Sequence, residues 1–138
     1  MPLYMLDTNT ASYIIKGTPA AARKHLIEVP MESICISSIT QAELLHGVAK
    51  KPEARHLPKV VKEFLIRVEI LPWDSNAAKA YARLRASCER EGKPLGTMDI
   101  LIAAHAAAVG AVLVTNDKAF RIIKPHLPIE DWTVPFDC

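Results

Sequence analysis

The chain has 138 residues, the usual size of one domain and enough to bury a substantial core. Half of the residues are hydrophobic and 23% are charged, which excludes a disordered chain. A formal charge of +2 excludes a protein that coats nucleic acid through bulk basicity.

The first element is a short apolar run at residues 3–6, which enters Asp7 and the polar string of "YMLDTNT". A soft segment, "GTP", follows at residues 17–19. "SICIS" at residues 33–37 is a second strand, rich in the residue types that pleated structure favours. The helix after it carries Glu43 just over a turn from its start, on the side of Thr40 and Gly47, with Ser38 and Gln41 matching a capping box. After the loop "KKPEAR" at residues 50–55, Leu57, Val60, Val61, Phe64, Leu65 and Val68 recur at helical steps, with Pro58 tolerated in the first turn. "VEIL" at residues 68–71 is a third strand. Ala77, Tyr81, Leu84 and Cys88 form the next helical stripe, opened by Asp74 or Ser75 and closed by Gly92. Residues 100–109 are apolar nearly all round and predict a buried helix stopped by Gly110. "AVLVT" at residues 111–115 is a fourth strand, running into Asn116 and Asp117, and "PIEDWTV" at residues 128–134 is a weaker fifth.

Apolar runs without alternation belong to strands covered on both faces, so these elements predict a single α/β domain over residues 1–138, with a parallel sheet and helices on both sides. Cys35, Cys88 and Cys138 share no metal-ligand spacing and leave one unpaired under any disulfide scheme, which fits a reducing cytoplasm. No basic-then-apolar leader is present, and no apolar run approaches the ~18 to 20 residues that span a bilayer, so a cytoplasmic protein with no membrane partner is expected.

Ligands of open α/β sheets bind beyond the carboxyl ends of the strands, where Asp7 and Asp117 fall. Asp99 stands at the start of the apolar helix and Glu43 near the start of another, so four carboxylates can converge on one edge. Each also has a structural explanation: Asp7 and Asp117 as turn or capping residues, Asp99 as a cap that Thr97 would make redundant, and Glu43 as a solvated helix residue. Jointly, four acids beside apolar elements repel one another unless a cation neutralises them. An all-oxygen set without His or Cys suits Mg²⁺ or Mn²⁺ rather than zinc.

"MLDTN", "SSITQAEL", "GTMDILIAAHA" and "LVTND", in that order, resemble the four signature segments of PIN-domain ribonucleases, and the match is strongest to the VapC-type toxins of bacterial toxin–antitoxin modules. The resemblance runs over essentially the whole chain, including a closing "IEDW". It implies a three-layer fold with a central parallel sheet of four or five strands. It also implies an acidic pocket of Asp7, Glu43, Asp99 and Asp117 that holds Mg²⁺ or Mn²⁺ and hydrolyses RNA. Thr8, Asn9, Ser38, Thr115 and Asn116 would be supporting polar positions. The implied partners are an RNA substrate, a transfer RNA anticodon loop among the candidates, a VapB-type antitoxin through which operator DNA is bound, and a second copy of the chain. Ile14, Ile15, Leu44 and Leu45 are candidate antitoxin contacts.

Lys50, Lys51, Arg55, Lys59 and Lys62 form the densest basic stretch, and Lys16, Arg83, Arg85 and Lys93 are further candidates for phosphate contact. His105, Trp73 and Trp132 read as packing residues. Two other readings stay open at this level. One is a catalytically silent module that keeps the fold to dock a partner. The other is a haloacid-dehalogenase-like phosphatase, whose expected second aspartate is Asn9 here.

Overall fold

The computed structural model describes residues 2–92, 95–123 and 126–134, and everything below concerns these. Five strands, β1 (Tyr4–Leu6), β2 (Ile34–Ser37), β3 (Glu69–Leu71), β4 (Val112–Val114) and β5 (Ile129–Glu130), form one sheet of order β3-β2-β1-β4-β5. All neighbours are parallel, with Tyr4 opposite Ile34 on one side and Val112 on the other. Six α-helices cover it: α1 (Thr8–Lys16), α2 (Ala20–Ile27), α3 (Ser38–Ala49), α4 (Leu57–Arg67), α5 (Ser75–Arg90) and α6 (Thr97–Val109).

The alternation of a pleated strand divides the core in two. Met5, Cys35 and Leu113 face α5 and α6 and pack with Leu84, Ile102 and Ala106. Leu6, Ile34, Ile36 and Val114 face the other way, onto Ile14, Leu44, Val61 and Phe64 of α1, α3 and α4. The architecture is the three-layer arrangement expected of continuous apolar strands. Trp132, just beyond β5, closes the second layer: it is 1% exposed, its ring stacks on His25 at 5.7 Å and tilts against Tyr4 at 5.5 Å. Trp132→Ala should therefore destabilise the fold by about 3–5 kcal/mol, read as a lower urea midpoint with an unchanged slope.

Local chemistry accounts for most boundaries. Asp74 caps α5 by accepting from the Ala77 amide at 3.1 Å, Pro58 sits in the first turn of α4, and Gly110 ends α6 in the left-handed conformation, φ 69°. Three details differ from the sequence reading. The cap of α3 is Ser37, whose Oγ accepts from the Ile39 amide at 3.1 Å, so Ser38 is already helical and the Ser38–Gln41 capping box does not form. Thr97 is likewise the first helical residue of α6, after an N-cap at Gly96 without a side-chain bond. The periodicity also leaves α1 and α2 unmarked, because they are short and α2 buries only Ala22.

Candidate functional site

In strand order the chain moves from β1 to β2 and β3 on one side, then returns to place β4 and β5 on the other, so the sheet reverses direction between β1 and β4. Such a switch point leaves a crevice, because the connections that leave the two strands part to opposite faces. Asp7 follows β1 and Asp117 lies three residues after β4. Asp99 enters from the first turn of α6 and Glu43 from the second turn of α3. The four acids predicted to share an edge thus come from four separate elements around one crevice.

Asp7 is 4% exposed. Its Oδ1 accepts from the Thr10 amide at 2.8 Å, and its own amide donates to the Val114 carbonyl at 3.0 Å, locking the first turn of α1 to the end of β4. Burial pushes its carboxyl above the ordinary range; hydrogen bonds from Thr115 and Thr10 oppose this, and Asp117 adds to it. Asp99, half-buried, is also raised, first by burial and then by the negative charges of Asp117, Asp7 and Glu43. Asp99 thus stands within electrostatic reach of the other three acids. A Cβ at Gly96 would stand 3.3 Å from Asp99 Oδ2, a tight contact that would press on the carboxylate.

Hydroxyl groups organise the remainder. Thr8 Oγ1 donates to Glu43 Oε1 at 2.5 Å and lies 3.4 Å from the fully buried Thr40 hydroxyl. Asp117 accepts from the Ala119 amide at 2.9 Å while its own amide donates to Thr115 Oγ1 at 3.1 Å. The turn and capping role expected of Asp7 and Asp117 is therefore real, and it uses one carboxylate oxygen of each, which leaves the other for a ligand.

Among the supporting positions, Thr8 and Thr115 bond directly around the acids. Ser38 instead accepts from the Trp73 amide at 3.0 Å, tying α3 to the segment after β3, and Asn116 donates to Tyr13 Oη at 3.3 Å. Asn9 is exposed on α1. His105 is 1% exposed, with Nδ1 2.8 Å from Ser37 Oγ, and burial lowers its pKa despite the opposing charge of Asp74, so it is a packed neutral histidine. Thr10 and Thr40 were not singled out by sequence, since a buried hydroxyl carries no linear signal.

Two adjoining grooves, of about 590 and 270 Å³, share Thr8, Glu43, Gly47 and Lys50. His46 and Met98 line the first, and Lys16 and Lys51 the second. Basic side chains thus flank the acidic crevice on the α3 side. Lys93 and Cys138 lie outside the described residues, while Cys35 and Cys88 are free and buried, with the Cys35 thiol pushed up to about 12 by burial. Among the described residues, no three His, Cys, Asp or Glu side chains already stand as a closed ligand set. The donors are nevertheless all hard oxygens around one negative centre, which fits Mg²⁺ or Mn²⁺ in kind.

An α/β sheet with carboxylates gathered at its switch point defines a class of acid-centred hydrolytic folds, and residues 4–124 match the family model described as PIN domain. The chain belongs to the PIN-domain family. Within it, the chain is 40% identical to the tRNA(fMet)-specific endonuclease VapC of Salmonella typhimurium, over 94% of this chain and 97% of that protein. It is 39% identical to ribonuclease VapC2 of Rickettsia felis, over 94% and 98%. Its fold superposes on DNA-bound VapBC from Salmonella typhimurium with a TM-score of 0.87 and 40% identity, covering 96% of this chain and 99% of that one. Membership of this family removes the phosphatase reading.

Proposed function

We propose that this chain is a VapC-type toxin, a metal-dependent endoribonuclease that hydrolyses phosphodiester bonds in structured RNA and is held in check by a VapB-type antitoxin. The observation that carries the reading is the single negative centre at the switch point, where Asp99 feels Asp7, Glu43 and Asp117 together. Asp7, Glu43 and Asp99 would hold Mg²⁺ or Mn²⁺, with Asp117 completing the set directly or through water. A cation bound there supplies an activated water and a counter-charge for the leaving oxygen.

The chain's own residues do the positioning. Thr8 fixes the rotamer of Glu43 by donating to Oε1. The Asp7 cap and the Thr115 hydroxyl hold the two strand-end acids against β1 and β4. Lys16, Lys50 and Lys51, along the adjoining grooves, meet flanking phosphates, which orient the strand without reading its sequence. Unpaired loops suit such a site because their backbone can be splayed to present one phosphate, as in a transfer RNA anticodon loop.

A groove of about 330 Å³ between α1, α2 and α4, walled largely by apolar side chains with Arg23, Glu63 and Arg67 among them, supplies the antitoxin surface, with Ile27 79% and Met31 41% exposed along it. An amphipathic helix of the antitoxin fits there, and operator DNA is reached through the antitoxin alone. Of the contacts named from sequence, Ile14 and Ile15 line this groove, Ile14 being only 5% exposed, whereas Leu44, 6% exposed, lies outside it in the core. Leu45 lies apart from this groove on α3, 49% exposed, while Met98, 41% exposed, lines the groove beside Glu43 and offers an apolar margin for a second copy of the chain.

Brief induction of the chain alone should arrest growth and leave new RNA ends at a few fixed positions, which sequencing of 5′ ends reads directly. Unimpaired growth at confirmed protein levels, or uniform degradation without preferred sites, would refute a selective toxin.

A further inference from the structure

The longest helix carries a feature that the acidic centre does not use. Lys79, Arg83 and Arg90 lie on one face of α5, spaced by four and seven residues, and all three are exposed. They line a groove of about 540 Å³ whose floor is Ala80, Leu84, Ala107 and Ala108, the small residues of α5 and α6 leaving the space open. No carboxylate lines the groove, and among the described residues none of the three cations has a hydrogen bond or ion pair. Arg85, one face away, is by contrast engaged by Tyr81 at 2.7 Å and Glu89 at 3.9 Å. Asn76 and Ser87 add neutral donors between the cations, and Ser87 Oγ stands 3.4 Å from His126 Nε2 on the opposite wall.

Like charges at four-residue spacing repel, so such a stripe without acids costs stability unless an anion completes it. The stripe also has a direction. Residues 91–96 alone join α5 to α6, and Tyr81, Arg85 and Cys88 in α5 share a smaller cavity with Thr97 and Ile100 at the start of α6. The helices are therefore antiparallel, and the Arg90 end points to the end of the pair that carries Asp99. From Lys79 to Arg90 the rise is about 16 Å, enough to meet several successive phosphates of one strand.

We infer that the groove along α5 is a second binding track for the phosphodiester backbone of the RNA substrate, gripping it away from the bond to be cut. The inference rests on the ribonuclease reading. Its test is equilibrium binding of the full chain, in chelator so that nothing is cleaved, to a long stem-loop RNA and to a five-nucleotide RNA. Replacing Lys79, Arg83 and Arg90 together by alanine should weaken stem-loop binding at least about tenfold and leave the short RNA unaffected. The slope of log affinity against log salt should flatten by about 2, near 0.7 for each lost contact. Restoring charge with Lys79→Arg, Arg83→Lys and Arg90→Lys should restore binding, and an unchanged melting profile of the alanine variant separates lost contacts from lost fold. Equal affinities and slopes for parent and alanine variant would overturn the track. So would a variant that keeps RNA affinity and loses only affinity for a polyglutamate probe, which would assign the groove to an acidic protein segment. Parent protein that binds through the groove but cuts no RNA in Mn²⁺ would sink the nuclease reading and leave the groove standing.

Discussion

Asp99→Asn should lower RNA cleavage by at least about 10³-fold while leaving the fold intact, a loss of about 4 kcal/mol of transition-state stabilisation. The substitution keeps size and hydrogen-bonding capacity but removes the charge that binds the pocket's cation. Its effect on stability runs the other way. The folded carboxyl of Asp99 is raised above its ordinary value of 3.8 by burial and by three neighbouring acids. Between 3.8 and that raised value the folded state holds more protons than the unfolded state. In chelator, stability must therefore fall as pH rises through this window, and the penalty is fully present at neutral pH. Asp7, raised chiefly by burial, contributes in the same direction. Removing the Asp99 charge should leave chelator stability at pH 7 unchanged or higher and make its pH dependence shallower. Mn²⁺, binding only the folded form, should raise the melting temperature of the parent more than that of the variant. Thermal unfolding of both proteins from pH 4 to pH 8, with chelator and with Mn²⁺, reads all of this. A variant that is less stable in chelator, equally responsive to Mn²⁺ and still active would reduce the four acids to unrelated caps.

Ile27→Glu combined with Met31→Glu should release the toxin from its antitoxin without touching catalysis. The two side chains are 79% and 41% exposed in the free chain, so the substitutions should move its stability by no more than about 1 kcal/mol. In the complex they would bury carboxylates against the apolar wall that Leu26, Val60 and Phe64 share with Ile27, a desolvation penalty of several kcal/mol and at least a 10²-fold weaker complex. Titration calorimetry measures the affinity, and co-expression with antitoxin should then fail to rescue growth. Parental affinity in the double variant would place the antitoxin elsewhere on the molecule.

The sequence by itself determined the layered α/β fold, because strands that are apolar on both faces can satisfy themselves only between two layers of helices. It also marked Asp7, Glu43, Asp99 and Asp117 as the candidate acids, since they stand at or near the points where apolar elements begin or end. Two helices near the start escaped it: α1 and α2 are short, and helix periodicity needs several turns of buried face to show. Cap positions slipped by one residue at Ser37, and at Gly96 before Thr97, because neighbouring residues offer equivalent chemistry and only the backbone path selects among them. The strand order β3-β2-β1-β4-β5 was decided by tertiary structure alone, and with it the switch point that turns acids from distant stretches into one charge centre. The hydrogen-bond partners of Thr8, Thr10, Thr40 and His105 were decided the same way. A hydroxyl or imidazole reads the same in a linear sequence whether water or a buried partner satisfies it, and only packing brings Thr8 to Glu43 across 35 positions and His105 to Ser37 across 68.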